Sequence, residues 1–313
     1  MTMKRPFFSI FPGICLFVMG LSLWGQAGAP PGVPVSVVIT LEPKRGKAVP
    51  PVEQSDIKVS EDRSSRPVTG FTPLRGDSGN LQLMLLIDDS AGSNFSNEIP
   101  GLKQWIQGLP HQSEAAVAYM RNGMARAGQN FTTDLAAAAK SIRVPLGTGG
   151  ADVSPYDSLS EAVKSWPQSK AERHEIVMIS SGIEGLGGGA PPQNVYVNKS
   201  IADAQRAGIV VFTIYSPSAG HLGHTLWRET VAQGLLSQLA DETGGESYIR
   251  TFGPPVSFLP FLEEITSKLR NQYLLTFLAR PEKKSGLQPI RVSVSADNAD
   301  VAAPDKVFVK ASL

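Results

Sequence analysis

The sequence predicts an α/β protein whose main body is a doubly wound domain with a mainly parallel central sheet. Antiparallel β segments flank it at the N- and C-terminal sides. Three observations carry this expectation. Between residues 81 and 270, near-continuous apolar runs alternate with segments of helical period, the pattern of strands covered on both faces by helices. On either side of that block, short stretches alternate apolar and polar residues, as half-buried strands do. The 313-residue chain is 42% apolar and 18% charged, a balance that supports a packed core.

Residues 1–27 read as an export signal. Lys4 and Arg5 precede an uncharged stretch from Phe7 to Trp24, and small residues follow it. Cleavage fits after Ala27 or Ala29, and Pro30 makes the second site the poorer substrate. An uncleaved anchor helix is the alternative, which Pro12 and Gly13 weaken. Cys15 follows Pro12-Gly13-Ile14 and lacks the leucine and small residues of a lipobox. The expected location is therefore secreted or periplasmic, with membrane contact only through an uncleaved leader.

Charge and cysteine content exclude whole classes of function. Twenty-nine basic residues face 28 acidic ones, so there is no basic footprint for nucleic acid. Loss of the leader removes Lys4 and Arg5 and turns the net charge from +1 to −1. It also removes Cys15, the only cysteine, which excludes a disulfide framework and any cysteine-rich zinc site.

Residues 28–80 comprise a linker and a small β unit, with strands expected at 35–41, 57–61 and 66–71. The main domain, 81–270, opens with a strand at 81–87 and a helix at 99–109 carrying Leu102, Trp105, Ile106 and Leu109 on one face. A strand at 115–119 follows. Asp134 is placed to cap an alanine-rich helix at 135–142. A helix at 157–166 closes at Pro167, and strands follow at 175–180, 209–215 and 247–249. Helices at 199–207 and 230–242 end at Gly208 and at Gly244-Gly245. A last helix spans 256–270 with Pro260 in its first turn. The tail, 271–313, alternates like antiparallel strands at 273–277, 290–294 and 307–309. These are expected to pair with the first β unit or to extend an edge of the sheet.

In such folds the ligand sits beyond the carboxyl ends of the strands. There the first central strand runs into Ile87-Asp88-Asp89-Ser90-Ala91-Gly92-Ser93. This resembles the first loop of a von Willebrand factor A (VWA) domain, Asp-x-Ser-x-Ser. The resemblance implies a Rossmann-like fold and a divalent-cation adhesion site built from that loop, a threonine on a second loop and an aspartate on a third. Asp88 and Ser90 match the first two positions; Gly92 replaces the second serine, with Ser93 out of register. In the second loop Val153 or Ser154 stands near the threonine position, with Asp152 beside them, and in the third Ser181 replaces the aspartate. The implied binding residues are Asp88, Ser90, Ser93, Asp152, Ser154 and Ser181. With one firm carboxylate, the site is read as degenerate and metal-free, a weak Mg²⁺ or Mn²⁺ site being the alternative.

The resemblance extends over nearly the whole exported chain and points to the exported bacterial, acidobacterial-type VWFA-related branch. It is carried by residues 56–62, 131–134, 204–211, 240–245 and 271–277. The branch implies binding of a protein or an envelope or surface polymer through loops at 88–97, 147–157 and 182–197.

Other constellations point to less. His221, His224 and Glu229 lie in or beside a glycine-rich loop without a rigid face to orient them. No Gly-x-Ser-x-Gly elbow surrounds a serine, and His111 and His174 are aimed at none, so an envelope hydrolase using carboxylates at the same edge is the minor alternative. The glycines from 182 to 189 are followed by Pro191-Pro192 rather than by a helix, so they are read as a flexible loop on the binding edge in preference to a phosphate cradle. Trp105, Trp166 and Trp227 are expected to pack in or beside helices.

Overall fold

The computed structural model describes residues 1–2, 32–46, 48–76, 79–148, 154–184, 195–217, 226–249 and 257–311. The leader, His221, His224 and Asp152 therefore lie outside the described residues. Among those described, no helix is long and apolar enough to cross a membrane. The elements run in chain order as β1 (Val33–Pro43), β2 (Ile57–Glu61), β3 (Ser64–Arg66), β4 (Val68–Pro73), β5 (Leu81–Asp88), α1 (Ile99–Gln107), β6 (Glu114–Arg121) and β7 (Met124–Thr132). There follow α2 (Leu135–Lys140), α3 (Pro155–Lys164), β8 (Arg173–Ser180), α4 (Val195–Ala207), β9 (Ile209–Tyr215), α5 (Leu226–Thr243), β10 (Ser247–Tyr248) and α6 (Leu259–Arg270). The last are β11 (Gln272–Ala279), β12 (Gly286–Pro289), β13 (Arg291–Val294), β14 (Ala299–Ala302) and β15 (Lys306–Val309).

The central sheet has the order β10-β9-β8-β5-β6-β7. All pairings are parallel except that of the edge strand β7, which runs antiparallel to β6. The chain therefore forms the doubly wound, mainly parallel sheet expected from its sequence. The period of two in β5 explains how both faces are filled. Leu83, Leu85 and Ile87 enter a core with α1, α2 and α6, while Met84 and Leu86 enter a second core with α3, α4 and α5. Every residue of β5 is buried, as its unbroken apolar run predicts.

The tail pairs with the N-terminal β unit. β1 lies between β11 and β14, and β4 pairs with the other edge of β11. Val37, Ile39, Leu41, Leu275 and Phe277 form a third core with Val307 and Val309. Residues 33–73 and 272–309 thus share two sheets, β14-β1-β11-β4 and β13-β2-β3, and α6 leads directly into the first of them.

Several expectations need correction. Strand β7 was not expected, although Asn122-Gly123 before it is a strong hairpin signal. Both residues adopt positive φ, 52° and 65°, in the two-residue connection between β6 and β7. The strand expected at 66–71 is divided at Pro67 into β3 and β4, since proline has no N–H for the ladder. Helix α3 begins two residues early because Ser154 Oγ accepts the Asp157 amide. Helix α6 begins at Leu259, three residues late, because the Glu98 carboxylate takes the Phe258 amide at 2.7 Å before the first turn. Asp134 caps α2 as expected, accepting from Ala137 N at 2.9 Å.

Candidate functional site

The carboxyl edge of the sheet is built from the ends of β5, β6, β8 and β9. Buried strands force their last polar residues to find partners within the protein, since water is excluded there. Asp88, the last residue of β5, is 4% exposed. Its Oδ1 accepts from Ser90 N at 2.9 Å and Ser90 Oγ at 2.6 Å. Its Oδ2 accepts from Ser180 Oγ at 2.8 Å. Ser180 is the partner that sequence reasoning missed; its place at the end of β8, the strand beside β5, is the signal that could have found it. Burial raises the Asp88 pKa above the ordinary carboxylate value, the Ser90 and Ser180 bonds oppose the rise, and neighbouring Asp89 adds to it.

The other candidates are placed around this bond set. Ser181 is buried, and its Oγ accepts from Ile183 N at 3.3 Å. Ser154, also buried, donates to Glu184 Oε2 at 3.0 Å. Tyr156 in α3 donates to the Gly182 carbonyl at 3.1 Å, which ties the second loop to the third. Ser93 lies in a short 3-10 helix, Ser93–Asn97. The strand ends are laced by backbone bonds, from Thr148 N to Asp89 O and from Ser216 N to Ser180 O. Asp88, Ser90, Ser154 and Ser181 are therefore all enclosed by the loops that carry them.

Asp89 turns the other way. Its carboxylate, on a residue 1% exposed, accepts from Arg143 Nη1 at 2.7 Å and Nη2 at 3.1 Å, a fork geometry. Arg143 also lies over the Tyr119 ring, 3.7 Å from its centroid. Leu146 N donates to Asp89 Oδ1 at 3.2 Å. The segment after α2 is thus clamped to the end of β5. Consecutive strand-end residues face opposite sides of the sheet, so Asp89 takes partners separate from those of Asp88.

In terms of donor chemistry, a hard dication calls for several anionic oxygens. Among the described residues no group of three or more His, Cys, Asp or Glu side chains is arranged to hold a metal. The carboxylate of Asp88 already accepts three hydrogen bonds, so this set fits a dication poorly.

Asp88, Ser90, Ser154 and Ser181 are enclosed at this edge, whereas several large apolar side chains near it are exposed. The described residues leave seven large apolar side chains exposed: Met1 and six others. Those six are Val144, Leu146, Val195, Leu226, Trp227 and Leu259, from 47% to 74% exposed. Val144 and Leu146 lie on the Arg143 clamp, and the other four are in the opening residues of α4, α5 and α6. Helices that follow parallel strands begin at the strands' carboxyl ends, so all six share one edge. Trp227 lies in a helix as expected, but at 57% exposure it does not pack against the protein. Trp105 packs as expected, bonding Thr266 Oγ1 through its indole N–H at 2.9 Å. Trp166 lies against Phe131, with ring centroids 4.7 Å apart.

The arrangement defines a doubly wound α/β domain with an Asp-x-Ser first loop and an apolar rim. No family model matches the chain, and no curated protein matches it. Among solved structures it is similar to an aerotolerance-related membrane protein from Bacteroides fragilis, at 15% identity and a TM-score of 0.43, over 60% of this chain and 98% of that one. BatB from Bacteroides thetaiotaomicron is similar at 16% identity and a TM-score of 0.42, over 61% and 96%. The SpRpn10 VWA domain is similar at 12% identity and a TM-score of 0.38, over 59% and 94%.

Proposed function

We propose that this chain is an exported, non-enzymatic binding protein of the VWFA-related type, with its leader removed after Ala27. It engages a protein or an envelope polymer through the carboxyl edge of its sheet, without a divalent cation. The observation that supports this reading is the rim of six exposed apolar side chains at that edge. Soluble proteins seldom gather exposed apolar groups on one edge unless the edge is covered by a partner. Large aromatic side chains such as Trp227 carry much of the energy in such contacts.

The degenerate Asp88 loop then has a structural role. Its hydrogen bonds hold the strand ends in place while the apolar rim makes the contact. Two measurements test this. Leu146→Ala with Trp227→Ala is expected to reduce capture of the partner from an envelope extract of the producing cell at least tenfold with the fold retained; unchanged capture overturns the edge as the contact. Millimolar Mg²⁺ or Mn²⁺ is expected to leave the thermal midpoint within 1 °C or so, whereas a metal bound to the native state alone adds roughly 2.7 kcal/mol of stability at a hundredfold excess over Kd, a rise of roughly 5 °C in the midpoint. A shift of that size, lost in Asp88→Ala, overturns the metal-free reading.

A further inference from the structure

The opposite edge of the sheet carries a cavity of about 760 Å³, far from the rim described above. It lies where three segments meet: the chain entering β5, the connection from α1 to β6, and the C-terminal turn of α6. Its size falls within the range of small-molecule sites, roughly 300–1,000 Å³. Leu74, Leu109, Pro110 and Leu269 supply an apolar wall. Arg75, Arg173 and Arg270 are all among its lining residues, and no Asp or Glu is among the described ones. Asp77, next to Gly76 in sequence, lies outside the described residues.

The three arginines differ in how far they are committed. Arg173 is 2% exposed, and its terminal nitrogens donate to the carbonyls of Leu269 and Gly79 and to Gln272 Oε1. Those three acceptors commit its terminal nitrogens, so Arg173 is assigned no ligand contact. Arg75 uses Nε to bond the Arg270 carbonyl at 2.9 Å, with its guanidinium 5.8 Å from the Tyr273 ring centroid. Arg270 is exposed, and its guanidinium has no hydrogen bond or ion pair among the described residues. Among the described lining residues the Arg270 guanidinium thus has no anionic partner, and its fork geometry suits a ligand carboxylate or phosphate.

We propose that this cavity binds an amphipathic organic anion, with its apolar body against Leu74, Leu109 and Leu269 and its anionic head on Arg270, assisted by Arg75. The apolar wall rejects a bare inorganic ion, and the two arginines reject a neutral amphiphile. The binding is independent of the partner contact at the carboxyl edge.

Isothermal titration of the full chain with decanoate, decanol and inorganic phosphate tests this. Decanoate is expected to bind at least tenfold more tightly than decanol, and phosphate is expected not to bind at millimolar concentration. Arg270→Glu is expected to weaken decanoate at least tenfold, and Arg270→Lys less than threefold, with thermal midpoints close to that of the parent. Trp227→Ala, at the far edge, is expected to leave the affinity unchanged. The proposal is overturned by no decanoate binding at millimolar concentration, by equal binding of decanol, or by unchanged decanoate binding in a folded Arg270→Glu chain. Loss of decanoate binding in Trp227→Ala likewise overturns it, because it places the ligand on the apolar rim.

Discussion

Replacing Gly245 by alanine is expected to cost the chain at least about 3 kcal/mol, enough to unfold a domain of ordinary stability. A Cβ at this position would stand 2.1 Å from the Val211 carbonyl oxygen and 2.7 Å from the Val211 carbonyl carbon. Both are backbone atoms of β9, a fully buried strand within the central sheet, and a backbone locked between two parallel neighbours cannot move aside. Gly245 also closes α5, donating its amide to the Ala240 carbonyl at 2.9 Å. The control is Gly234→Ala, on an exposed turn of the same helix with no atom within 4 Å of the added methyl. That change is expected to stabilise by up to about 1 kcal/mol, as alanine replaces glycine within a helix. Urea unfolding of the three proteins checks both signs, and a Gly245→Ala chain as stable as the parent would falsify the close packing of α5 on β9.

Glu175→Gln is expected to remove most of a stability loss that the parent suffers as pH rises. Glu175 lies in β8, fully buried between β5 and β9. Burial raises its pKa to about 7, opposed by the Arg173 charge and by the hydrogen bond from Gln272 Nε2 at 2.6 Å. Burial also lowers the pKa of Arg173. A carboxyl whose folded pKa is raised binds its proton more tightly in the native state. Its contribution is complete below the unfolded value of about 4.5 and disappears as pH rises through about 7. Between pH 5 and pH 8 the parent is expected to lose roughly 2–3 kcal/mol on this account. Glutamine keeps an acceptor for Gln272 and has no proton to lose, so its slope over this window is expected to be smaller by that amount. Equal slopes for the two proteins would mean that Glu175 does not titrate in this range.

Much of the fold was legible because the patterns are local. The alternation in β5 fixes which side chains enter each core, and Pro, Gly and Asp134 mark helix ends with their own chemistry. The hairpin to β7 was equally legible in Asn122-Gly123, although the polar, largely exposed β7 has little apolar period to reinforce it. The candidate site was legible only in part. Asp88 and Ser90 are neighbours in sequence, so their bond follows from the loop itself. Ser180 reaches Asp88 from 92 residues away, and Arg143 reaches Asp89 from 54 residues away. Neither spacing carries a periodic signal.

Exposure divides the two kinds of knowledge most sharply. The sequence by itself determined the doubly wound class, the strand-end position of Asp88 and the helix ends marked by Pro167, Gly208 and Asp134, since each depends on residue type and near neighbours. Only the tertiary structure decided that the polar loop residues turn inward while Trp227 and Leu226 turn outward. It alone brought Arg75 and Arg270, 195 positions apart, to one cavity. Side-chain burial is set by what the rest of the chain packs against a position, and that information is distributed over the whole fold.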